Sequence, residues 1–134
     1  MSVSVAGPSV TLTLANLDRS HGDVVVFEAR AEGVDLLASM WVETLYGDAI
    51  DSFAAGLARD FRGWDGTRTW KSFRGELELR ATHTGRVVEL AWTLHHPGPA
   101  WESPGFWDCT VRTFVTPGEE LRRFSADVAE FLVS

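Results

Sequence analysis

A chain of 134 residues, 45% hydrophobic and 11% aromatic, can bury a core without disulfides and shows no internal break, so one domain over 1–134 is expected. Its net charge of −7, from 19 acids against 12 bases, argues against a phosphate-backbone ligand and suits solubility or a basic protein partner. Cys109 has no second cysteine to pair with, no run approaches the ~20 apolar residues of a membrane helix, and residues 1–8 lack a secretion-signal pattern, so a cytoplasmic setting is expected.

Residues 9–17 alternate, with Val10, Leu12 and Leu14 on one side and Ser9, Thr11 and Thr13 on the other, which predicts a half-buried strand. After the polar turn at 18–23, residues 24–31 form a second strand, and Glu32-Gly33 reads as a hairpin turn into a third at 34–45. Both alternating sets of the third run are partly apolar, which predicts a central position in the sheet. The period then changes. Ile50, Phe53, Ala54, Leu57, Ala58 and Phe61 make one apolar helical stripe, with Asp48 as expected N-cap and Gly63 as stop. Gly56, costly inside a helix, is read as marking close approach to the sheet.

Residues 70–73, 76–83, 86–96 and 107–115 read as four further strands. Leu77, Leu79 and Ala81, then Val88, Leu90, Trp92 and Leu94, then Cys109, Val111, Thr113 and Val115 mark one apolar face. Glu76, Glu78 and Glu89 fall on the opposite, exposed face. Thr116, Pro117 and Glu119 form a capping box opening a last helix striped by Leu121, Phe124, Val128, Phe131 and Leu132. The expected fold is α+β: an antiparallel sheet of about six to seven strands with two amphipathic helices packed on one face.

The loop 95–108 joins two of these strands and is the oddest segment, because it packs Trp101, Phe106, Trp107 and three prolines into a connection longer than most hairpin loops. Its aromatics either form a recognition loop or fold back to plug one end of the sheet. His95 and His96, with Glu102 and Asp108 near, do not make a metal site, since adjacent strand residues point to opposite faces. Cys109 shares a face with Val111 and Val115 and reads as a buried, inert thiol. No nucleophile elbow, phosphate loop or metal-ligand spacing is found, so no cofactor and no enzymatic activity is expected. Trp64, Trp70, Trp101 and Trp107 fall at strand ends or in loops, as an aromatic rim or as closures of the core.

The pattern Gly63-Trp64-x-Gly66-x-x-x-Trp70-x-Ser72, then Gly75-x-Leu77-x-Leu79 and Gly85-Arg86-Val87, resembles a family of small bacterial domains of unknown function. More distantly, the chain is similar to the WapI-type immunity proteins of toxin–immunity systems; the shared layout, over about residues 36–132, is a helix of the type Asp51-x-Phe53-x-x-x-Leu57, a short meander and a closing helix led by Gly118-Glu119-Glu120-Leu121. The resemblance implies a non-enzymatic protein-binding domain that neutralises a partner. The alternative is a small-ligand domain with Trp64, Trp70 and Trp101 lining a pocket at one end of the sheet. The candidate binding residues are Trp64, Trp70, His95, His96, Trp101, Glu102, Phe106, Trp107 and Asp108.

Overall fold

The computed structural model describes residues 1–99 and 104–134. Strands β1 (Val3–Ala6), β2 (Val10–His21), β3 (Val24–Gly33) and β4 (Leu36–Leu45) form one antiparallel meander, and β5 (Thr67–Lys71), β6 (Leu77–His83), β7 (Val88–His96) and β8 (Trp107–Val115) form a second. Helix α1 (Ile50–Arg59) lies between the two meanders in sequence, and α2 (Glu119–Leu132) closes the chain. The fold is α+β, with two four-stranded sheets in place of the single larger one expected. Alternation reports which face of a strand is apolar, not which strands pair. Pairing here stays local to consecutive hairpins, so the chain breaks into two sheets where α1 intervenes.

The apolar faces of both sheets feed one buried cluster, with β8 running close to β1 and β2 and β7 close to β4. The helices do not simply lie on one sheet face. Helix α2 sets Phe131 edge-on to Phe27 of the first sheet at 5.7 Å and Phe124 edge-on to Trp92 of the second at 6.2 Å. The Trp92 indole N–H donates to the Thr113 hydroxyl at 2.9 Å, so the deepest tryptophan loses no hydrogen bond on burial.

Several local expectations change for identifiable reasons. β4 is an edge strand, and its second apolar row, Leu37, Trp41 and Leu45, is exposed. The hairpin turn falls at Val34 and Asp35, while Gly33 is the last residue of β3, where a Cβ would lie 2.1 Å from the Ser9 carbonyl oxygen. Gly56 meets no sheet, since an added Cβ would touch only the Arg59 side chain at 3.6 Å. Asp48 does not cap α1. The turn Tyr46–Ala49 is left-handed throughout, with φ of 55°, 83°, 51° and 61°, and Ala49 precedes the helix. The Asp48 carboxylate accepts instead from the N–H of Leu45 (3.2 Å) and of Phe73 (2.8 Å). At α2 the capping pair is shifted by one residue: the N–H of Thr116 donates to Glu120 at 2.7 Å, and Gly118 rather than Thr116 is the N-cap.

Candidate functional site

β7 and β8 set His95 opposite Asp108 and His96 opposite Trp107. Each pair then acts differently, as the period of two requires. On the outer face Nδ1–H of His95 donates to the Asp108 carboxylate, which orients the ring. On the other side the His96 ring stacks on Phe106 (centroids 5.1 Å, 23° between planes) and leans on Trp107 at 6.0 Å. Nδ1 of His96 accepts the Gly98 N–H at 3.1 Å, and the Phe106 N–H donates to the His96 carbonyl at 2.9 Å. Gly105 makes this closure possible. It has φ 94°, and a Cβ would lie 2.6 Å from the His96 oxygen and 2.9 Å from the His95 ring.

The base of the loop is therefore folded on itself and not into the core. Phe106 is 64% exposed and Trp107 38% exposed, which removes both from the role of plug. Trp101 and Glu102 lie outside the described residues.

Beside the His95–Asp108 pair, the outer face of the second sheet carries a cleft of about 430 Å³. It runs from Asp108 and His95 across Thr93 and Glu78 to Lys71, under the turn bearing Phe73 and Arg74. Cross-strand register explains the row, because Lys71 pairs with Glu78 and Glu78 with Thr93. Arg74 is committed to Glu43 at 3.2 Å, and Glu78 to Arg80 at 3.5 Å. Among the described residues Lys71 has no ion-pair partner. The Thr93 hydroxyl is shared with Thr110 at 2.8 Å, and the Ser72 hydroxyl is buried between Glu76 and the Leu77 N–H. The cleft thus offers recognition chemistry: an ammonium, an imidazole held by a carboxylate, and an exposed phenyl ring. Lys71, Phe73, Arg74 and Thr93 were not singled out in the sequence. The available signal was Phe73, a large apolar residue standing between Ser72 and the Arg74-Gly75 turn.

The other two tryptophan candidates serve the fold. Trp70 is buried and its indole N–H donates to the Asp48 carbonyl at 2.8 Å. Trp64 donates to the Ala81 carbonyl at 3.2 Å, carries Arg68 over its ring at 4.9 Å and meets His83 edge-on at 5.3 Å. It sits at the far end of β6 from the loop, roughly 20 Å away at strand rise. Neither Trp64 nor Trp70 lines the cleft beside the loop. His83 is itself a joint, with Nδ1 accepting the Gly85 N–H at 3.0 Å and Nε2 donating to the Phe61 carbonyl at 2.8 Å.

Glu76 also departs from expectation. It is 4% exposed, not on the open face, because it precedes β6 and turns inward beside β4. Cys109 is half-buried, and burial pushes its thiol above the usual range, which disfavours the thiolate. Among the described residues no group of three or more His, Cys, Asp or Glu is placed to hold a metal ion, and no helix is long and apolar enough to cross a membrane.

A family model described as a family of unknown function (DUF6228) matches residues 3–134. This chain belongs to that family. The match takes in both sheets and both helices, so the His95–Asp108 cleft and the β7–β8 loop lie within the family's own domain. No curated protein matches the chain.

Proposed function

We propose that this DUF6228 domain binds a protein, as a non-enzymatic immunity-type domain that neutralises a basic partner in the cytoplasm. The observation that carries the reading is the loop base. Phe106 and Trp107 are held outward by the His96 stack and by the Gly105 closure, a pre-ordered pair of aromatic anchors of the kind that dominates protein interfaces. The acidic balance favours a basic partner by steering its approach.

The test is co-expression with the basic C-terminal domain of a secreted multidomain protein encoded immediately upstream. Wild-type protein restores growth and binds that domain in calorimetry. Phe106→Ser/Trp107→Ser, with unchanged circular dichroism, loses both. Failure of the wild type to protect, or absence of any such neighbouring gene, overturns the reading.

A second reading is a small-ligand site, supported by the cleft of about 430 Å³ between Lys71 and Asp108. Its lining is charged and polar around Phe73, in place of the tryptophan pocket expected. A metabolite screen read by amide shifts of residues 71–78 and 93–95 decides it: saturable shifts confined to that row support a ligand, and none removes it.

A further inference from the structure

We propose that the free edge of β4, over residues 36–42, docks an extended segment of a partner protein that alternates apolar and basic residues. This names the partner's chemistry within the protein-binding reading, on a surface separate from the 95–108 loop.

The edge is open by geometry. β3 and β4 pair without a register shift, so the N–H and C=O groups of Leu37, Ser39, Trp41, Glu43 and Leu45 all turn away from β3. The last two N–H groups are occupied, Glu43 by the Glu76 carboxylate at 3.3 Å and Leu45 by Asp48 at 3.2 Å. Among the described residues those of Leu37, Ser39 and Trp41 have no partner. The other three edges are guarded in ordinary ways. β1 has four residues, β5 carries Arg68 and Lys71, and Gly7 of the β1–β2 turn lies against the Arg112 carbonyl of β8. Residues 36–42, Leu-Leu-Ala-Ser-Met-Trp-Val, contain no charge and no proline.

Charge selects the occupant. Residues 22–51 hold seven of the chain's 19 acids and one of its 12 bases, nearly the whole net charge of −7. On the outer face Glu28 stands opposite Trp41 and Glu32 opposite Leu37, with Arg30 between them opposite Ser39, while Leu37 is 68% and Trp41 53% exposed. An added strand would place its apolar side chains over the half-buried inner row Leu36, Ala38 and Met40. Its lysine or arginine stems would lie on Leu37 and Trp41, with their charges reaching Glu28 and Glu32. A second copy of this chain would bring the same acidic face to the edge, which disfavours self-pairing.

The probe is an acetylated, amidated peptide alternating valine and lysine, titrated into the ¹⁵N-labelled full chain, with a valine–glutamate peptide as control. Saturable amide shifts at residues 37–41, weakened by added salt, support the proposal. So does an affinity loss of roughly tenfold or more in Leu37→Lys/Trp41→Lys, with Phe106→Ser/Trp107→Ser unchanged. Ser39→Lys, which removes no apolar volume, serves as the second edge variant. Absence of saturable shifts, equal binding of the glutamate peptide, or shifts centred on 95–108 overturns it. Sedimentation showing a dimer lost in Trp41→Lys makes a second copy the occupant and also overturns it. Peptide failure with intact neutralisation retires this edge alone; peptide binding without neutralisation retires the immunity reading alone.

Discussion

The indole N–H of Trp70 donates to the carbonyl oxygen of Asp48 at 2.8 Å, tying the second sheet to the left-handed turn that leads from the first sheet into α1. Three of the four residues in that turn are not glycine, and each left-handed non-glycine residue costs about 1–2 kcal/mol. The turn is held by bonds from several elements: Trp70 and Phe73 to Asp48, the Gly47 N–H to the Thr44 hydroxyl at 2.9 Å, and the Tyr46 N–H to the Asp23 carbonyl at 2.9 Å. Trp70→Phe keeps most of the apolar volume and removes one of these bonds. A loss of about 1–2 kcal/mol is expected in urea unfolding, larger than for Trp64→Phe, whose bond is longer at 3.2 Å and whose ring is only half-buried.

Two opposite glycine–alanine exchanges on this segment are both expected to stabilise. Ala49 has φ 61°, so Ala49→Gly relieves strain of about 1 kcal/mol. Gly56 lies in regular helix with room for a methyl group, so Gly56→Ala gains up to about 1 kcal/mol. Each should raise the urea midpoint without changing the slope. A fall in midpoint for Gly56→Ala would restore the idea that this glycine marks a close contact.

The contrast between these residues shows what the sequence could and could not reveal. The apolar rows of β6, β7 and β8, and the stripe Leu121, Phe124, Val128 and Phe131, were readable because burial there follows a simple period. Val3–Ala6 is not legible as a strand because four residues are too few to show a period. The break into two sheets, the inward turn of Glu76 and the exposure of Trp41 depend on contacts between segments far apart in sequence. Within the candidate site, the opposite placement of His95 and His96 follows from strand geometry alone. The cleft under Phe73 does not, because it needs the register of β5, β6, β7 and β8 together.

Glu76 is the buried link between the sheets. Its carboxylate takes the Glu43 N–H at 3.3 Å and the Ser72 hydroxyl at 3.2 Å, with Arg74 at 3.8 Å. Glu76→Ala takes the acceptor from the buried Ser72 hydroxyl and from the Glu43 N–H and is expected to cost about 1–3 kcal/mol. Glu76→Gln retains a carbonyl acceptor and should cost less. Equal losses in the two variants, measured by urea unfolding, would show that volume rather than hydrogen bonding is what Glu76 provides.

Glu120 gives stability a small dependence on acid. The Thr116 N–H and hydroxyl bonded to its carboxylate, with Arg123 near, hold its pKa below the ordinary carboxylate value. A group depressed in the folded state contributes fully above its unfolded pKa, and the contribution fades as pH falls through the folded value. Wild type should therefore exceed Glu120→Gln in stability at neutral pH, by a modest margin because the site is exposed, and the gap should close in acid. A gap that persists unchanged below the carboxylate range would assign the effect to packing.

Gly105 tests whether the loop base is a built feature of the site. Alanine there must accept φ 94° and place a methyl group 2.6 Å from the His96 carbonyl oxygen, so the backbone has to move. The strain is expected to cost about 1–3 kcal/mol or to be released by opening the loop. Opening would separate His96 from Phe106 and loosen the His95–Asp108 pair, leaving the core under Leu94 and Val111 in place. Amide and aromatic shifts of Gly105→Ala should thus change at 95–99 and 104–108 while those of β2 and β3 stay fixed. Gly85→Ala serves as the control, since it has φ 97° with nothing within 4 Å, and isolates the backbone cost from the contact. If both variants lose equal stability and the His96 stack persists in Gly105→Ala, the close approach does not order the loop, and Phe106 and Trp107 are not held in advance for a partner.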